Sequence, residues 1–176
     1  MGTKFAGAKL KHLQKCVNAA FACVQTKPTD TACTAKATGT CAKELAKVGG
    51  DAGKLRLAVA KACGPPAVDA SDPQSVAGLG YDTEIAVCAE RGVGSLTSAS
   101  DVADCLVAQH GCRVEDLVAS EVPRAAELLR LAGRDPTVEF PCLGAGADGA
   151  GGDLGPVKGK LAVKCQKGIG KAGAKF

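Results

Sequence analysis

The 176-residue chain has no Trp, one Tyr and 3% aromatic residues. Any core it buries is therefore Leu, Val and Ala, which suits closely packed helices and argues against a sheet sandwich. Eleven Lys/Arg stand against three Asp/Glu in residues 1–64, five against fifteen in residues 65–156 and six against none in residues 157–176, so a net charge of +4 hides basic ends around an acidic middle. No run of 18 apolar residues occurs, which excludes a membrane-spanning helix.

The length suits one domain or two small ones. Ten cysteines, with no CxxC anywhere, point to an oxidised framework rather than a metal or redox site, and so to a location outside a reducing cytosol. No apolar signal segment precedes Lys4, so an exported chain is expected to have lost its leader or to be one unit of a longer protein.

Residues 3–26 place Phe5, Ala8, Leu10, Leu13, Cys16, Val17, Ala20 and Cys23 at helical spacing. Pro28 stops this helix and Asp30 is placed to cap the next, which runs to about Ala62 with a kink expected at Gly49, Gly50 and Gly53. Cys23 and Cys33 mirror each other across the Lys27-Pro28-Thr29-Asp30 turn, as do Cys16 and Cys41; the paired positions add to 56 and 57. Antiparallel helices keep such a sum nearly constant and bring backbones close enough for disulfides, so the spacing predicts a hairpin bridged Cys16–Cys41 and Cys23–Cys33. The plain alternative is four reduced cysteines on buried helix faces.

Residues 67–80 read as a linker, with Ser71-Asp72-Pro73 resembling a helix start. A short helix is expected over 81–91, then a helix capped by Ser98 or Ser100 and ending at His110. The mirror rule pairs Cys88 with Cys105 between them. Residues 112–132 form an amphipathic stretch bent at Pro123 and ended by Gly133, after which Phe140 and Cys142 anchor a loose segment; Cys112–Cys142 follows by elimination. Residues 143–156 read as a flexible Gly/Asp linker. They contain Gly144, Gly146 and Gly149 in a GxGxxG pattern and one calcium-type nonapeptide, but the first needs a flanking strand and helix and the second needs stacked copies. A last Lys-rich helix carries Leu161, Val163, Cys165 and Ile169.

The expected fold class is all-α: a disulfide-stapled hairpin (1–64), an acidic helical subdomain (65–142), a Gly-rich linker (143–156) and a C-terminal basic docking helix (157–176). His12 and His110 sit in no catalytic pattern, and Glu115, Asp116, Asp101 and Asp104 read as helix-face and first-turn carboxylates. No catalytic, cofactor or metal-binding residue is assigned. Lys-rich helices also suit nucleic-acid binding, but the acidic middle and the oxidised cysteines argue against it.

Two stretches, KLKHLQKC (Lys9 to Cys16) and KCQKGIGKAGAKF (Lys164 to Phe176), together with CRVEDLVASEVPRAAELL between them, resemble cysteine-rich helical repeat proteins of environmental proteobacteria. The resemblance implies that the two stretches are consecutive parts of one repeated helix, within which this chain begins and ends. It implies no activity. Gly2-Thr3-Lys4-Phe5 and Gly173-Ala174-Lys175-Phe176 are near-copies; if Phe176 of one unit takes the place of Phe5 in the next, Cys165 falls where it mirrors Cys63. The expected function is therefore a structural subunit of an extracellular head-to-tail filament, crosslinked Cys63–Cys165 and assembled through Phe5, Leu10, Leu161, Ile169 and Phe176. Its expected partner is itself, with cell-surface attachment left open. Heterologous contacts that do not close give such fibres. A secreted monomeric binding module, with the last helix folded back on its own hairpin, is the alternative.

Overall fold

The computed structural model describes residues 2–63 and 78–175. Seven α-helices follow in order: α1 Gly2–Thr26, α2 Thr31–Cys63, α3 Ile85–Glu90, α4 Ala99–Glu121, α5 Ala125–Leu131, α6 Pro136–Glu139 and α7 Gly155–Gly173. Short 3-10 turns cover Tyr81–Glu84 and Ala145–Ala147, and no strand occurs among the described residues. The expected helix start at Ser71–Pro73 lies outside the described residues, as does Phe176.

Packing divides the chain into two compact units that cut across its sequence segments. One comprises Met1–Ala6 with Gly49–Gly111, the other Gly7–Val48 with Cys112–Phe176, each in its described part.

In the second unit, the apolar stripe of α1 is buried at Leu10, Leu13, Cys16, Val17, Ala20 and Cys23. Its spacing of three and four residues is what one face of a 3.6-residue helix requires. At the turn into α2, the Asp30 carboxylate accepts hydrogen bonds from the backbone N–H groups of Ala32 (2.9 Å) and Cys33 (3.1 Å). These bonds, the Cys33 N–H first and then Lys27, hold its carboxyl below the usual range. Two bridges join the hairpin, Cys16–Cys41 with Cα atoms 4.4 Å apart and Cys23–Cys33 at 5.7 Å. These are the partners that mirror spacing predicts. A third bridge, Cys112–Cys142, ties α4 to the segment after α6.

The first unit is built around Cys88–Cys105, buried with Leu96 and flanked by Tyr81 and Val93. Ser98 caps α4 by accepting from the Asp101 N–H (3.2 Å), while Asp101 accepts from Thr97 N (2.9 Å) and Oγ1 (3.0 Å). Gln109 Nε2 donates to Glu84 (2.8 Å) and lies 3.5 Å from the Cys105 sulfur.

α2 is helical through Gly49, Gly50 and Gly53. Each of these glycines costs about 1 kcal/mol relative to Ala, and the burial of neighbouring Ala52 and Leu55 offsets this. Three expectations are corrected. α4 passes through Gly111, because this glycine keeps a helical backbone instead of turning left-handed as Gly133 does at φ 71°. Pro123 does not bend one long helix: α4 ends at Glu121 and α5 starts at Ala125. Residues 143–156 are not a loose linker, since Leu143 and Ala147 are buried and Gly149 N–H donates to the Pro123 carbonyl at 2.7 Å.

Candidate functional site

The charged groups nearest the core of the second unit show what holds its helices in place. Glu115, expected on a helix face, is buried: its carboxylate accepts from Lys9 Nζ at 2.5 Å and from the Cys142 backbone N–H at 2.9 Å. Side-chain exposure is 10% for Lys9 and 4% for Glu115, so the two charges are taken out of water together and the second acceptor oxygen is used as well. One carboxylate thus links α1, α4 and the cysteine that closes the third bridge.

α7 is seated on this unit by its smallest residues. Gly159 and Gly170 are buried, and a Cβ on Gly159 would collide with the Gln25 carbonyl, one on Gly170 with the Gln14 amide, and one on Gly173 with the Glu121 carboxylate. Three glutamines make the polar contacts. Gln25, 2% exposed, donates to the Gly152 carbonyl (3.1 Å) and accepts from Leu154 N–H (3.1 Å), clasping the chain just before α7. Gln14 donates to Glu121 Oε2 (2.8 Å) and to the Gly170 carbonyl (2.9 Å), and Gln166 donates to the Glu121 carbonyl (2.9 Å). Arg124 adds hydrogen bonds to the carbonyls of Gly151 and Gly152 and lies over the Phe21 ring, 5.8 Å from its centroid.

Glu121 is the strained member of this set. Burial pushes its carboxyl above the usual range, the Gln14 hydrogen bond only partly opposes this, and Oε1 has no hydrogen-bond partner among the described residues.

Between α1, α2 and α7 lies an open groove of about 620 Å³. Lys11 and Lys15 project from α1, Lys167 and Lys171 from α7, and Glu44 from α2. Ala19 and Ala22 supply apolar lining, and the groove also touches Asn18, whose Oδ1 is buried without a donor. Glu44, the lining carboxylate, is already engaged by Lys47 (2.7 Å), His12 (2.7 Å) and Lys15 (3.3 Å). Lys47, then His12 and Lys15, bring its carboxyl down to about 2. Lys11, Lys167 and Lys171 have no ion pair among the described residues. Sequence reading sees these lysines as solvated helix faces; their convergence depends on α7 returning to the hairpin.

The residues expected to drive assembly divide by burial. Phe5 (4% exposed) and Leu10 (5%) belong to the interior, whereas Leu161 (62%) and Ile169 (45%) face outward. In this fold Phe5 and Leu10 offer no docking surface, because their side chains are already spent on the core. Cys63 is half-buried and Cys165 exposed, both as free thiols. Near Cys63, burial pushes the Tyr81 hydroxyl upward, with Cys63 and Glu84 adding to it. His12 is held by Glu44, and the His110 ring abuts the backbone of Gly2.

Among the described residues, no group of three or more His, Cys, Asp or Glu is placed to hold a metal ion, and no helix is long and apolar enough to cross a membrane. Four disulfides are consistent with an oxidising environment outside the cytosol. Comparison with protein-family models, curated proteins and solved structures gives no match.

Proposed function

We propose that the chain is a secreted, disulfide-stapled binding module that works as a monomer. The observation that carries this reading is the seat of α7: the helix is packed on the hairpin of its own chain, its glycines against Gln25, Gln14 and Glu121, leaving a lysine-rimmed groove beside it.

A second reading, a subunit of an extracellular head-to-tail filament, is favoured by a separate observation. Eight cysteines are bonded in pairs while Cys63 and Cys165 are not, and exposed Cys165 lies on the same outer stripe of α7 as Val157 (75% exposed), Leu161 and Ile169. A bridge between copies would use both thiols, and four internal bridges would keep each subunit folded meanwhile.

Sedimentation of the oxidised protein over a wide concentration range separates the two. The binding module sediments as a monomer throughout and gives a single band on a non-reducing gel. Covalent ladders that vanish in Cys165→Ser, with helical content unchanged, would replace it with the filament.

A further inference from the structure

We propose that the groove between α1, α2 and α7 is a binding site for a small hydroxylated organic dianion, of the sugar-acid or sugar-phosphate type. The inference deepens the binding-module reading and rests on it.

Charge comes first. Lys11 and Lys15 are one helical turn apart on α1, and Lys167 and Lys171 one turn apart on α7, so the two lysines of each pair are neighbours on one helix face and can turn to one anionic group. The two pairs sit on different helices of the same groove, which gives two such places. Glu44 pairs with Lys15 as well as with Lys47 and His12, which leaves Lys11, Lys167 and Lys171 without an ion pair among the described residues. Ammonium groups gathered in a concave site with low-dielectric walls raise the local concentration of anions.

The uncharged lining narrows the class. Asn18 lines the groove, and its side-chain amide, both donor and acceptor, suits a ligand hydroxyl. Ala19 and Ala22 provide apolar contact for a carbon skeleton. At about 620 Å³ the groove is of the size that small-molecule sites have.

Calorimetric titration of the oxidised full chain at low salt, with glucose 6-phosphate and digalacturonate as probes, tests the site. Adipate serves as a dianion without hydroxyls, cellobiose as a hydroxylated neutral and inorganic phosphate as a bare anion. One or both hydroxylated dianions should bind, more weakly as salt is added, with cellobiose silent and adipate and phosphate weaker. The double variant Lys11→Gln/Lys167→Gln should weaken binding by about tenfold or more, and Lys36→Gln/Lys160→Gln, at exposed lysines outside the groove, should not. Asn18→Leu should erase the preference for hydroxylated over plain dianions. Amide shifts on titration should gather at residues 11–22, 40–44 and 167–171.

Absence of binding by both hydroxylated dianions overturns the proposal, as does equal weakening by the two double variants or an unchanged preference in Asn18→Leu. Circular dichroism of each variant excludes loss of fold as the cause. A monomer that binds no probe defeats this site alone, whereas Cys165-dependent ladders defeat the binding-module reading beneath it.

Discussion

Two regions of the same unit reach order by opposite means. The hairpin of α1 and α2 is closed by Cys16–Cys41 and Cys23–Cys33, across separations of 25 and 10 residues. The stretch from Leu143 through α7 has no bridge of its own and is held by Gln25, Gln14, Gln166 and Arg124 and by glycines that admit a close backbone. A covalent link acts mainly by restricting the unfolded chain, whereas the contacts of α7 exist only in the folded one. Reducing agents should therefore attack the hairpin, and small steric or pH changes should release α7 first.

The largest expected break in this contrast is Cys16→Ala/Cys41→Ala. Loop entropy assigns that bridge about 3.5 kcal/mol and the shorter Cys23–Cys33 bridge about 2.8 kcal/mol. Denaturant titration of the two double variants should show the first falling further. Equal losses would mean that loop length does not govern the hairpin.

Next is Gly159→Leu, whose side chain would be driven into the Gln25 carbonyl. Overpacking of this kind costs about 1–3 kcal/mol. Hydrogen exchange should show α7 losing protection while α1 and the start of α2 keep theirs. Unchanged protection in α7 would show that its seat is not set by the glycine approach.

Glu121→Gln probes the same seat electrostatically. The folded carboxyl is raised, so the stability it contributes is full below the usual value of 4.5 and is lost as pH rises through the folded value. The amide cannot ionise, and the variant should melt higher than the parent at neutral pH, by roughly a few degrees, with the gap closing as pH falls to 4.5. A lower melting point at neutral pH would contradict the sign.

The smallest effect is expected from Glu44→Gln. Its folded carboxyl is brought down to about 2, so its contribution is present above the usual value of 4.5 and lost as pH falls through about 2. The variant should show a shallower loss of stability over that acid window. An identical acid profile would mean that Lys47, His12 and Lys15 do not stabilise the carboxylate.

The hairpin was legible in the sequence because helical spacing and a turn at Pro28 set which cysteines can meet, and disulfide geometry tolerates little else. Cys88–Cys105 followed from the same rule, Asp30 was recognisable as a cap by residue type and place, and the second cap was narrowed to Ser98 or Ser100. The seat of α7 was not legible. The glycines before it read as a flexible segment and those within it as ordinary places on a Lys-rich helix, yet absence of a side chain is what lets backbone meet backbone at Gly159. Gln14, Gln25 and Gln166 are equally silent, since a glutamine looks the same in a sequence whether it faces water or clasps a buried carbonyl. Glu115 was misplaced for a related reason: its partner Lys9 lies 106 residues away. The groove inherits this blindness. Its lysines were visible only as the basic character of the first and last helices, and their meeting depends on the return of α7.

That return leaves α7 with its amphipathic logic inverted. An ordinary surface helix hides its greasy side chains and shows its polar ones; this one spends bare backbone on the interior and holds Val157, Leu161 and Ile169 out in the water. The positions that fix the helix and the positions that display chemistry are thus different sets. Selection could rewrite the outward residues, exchanging stickiness for solubility or one recognition pattern for another, while the fold is guarded by a few glycines and glutamines that such changes never touch.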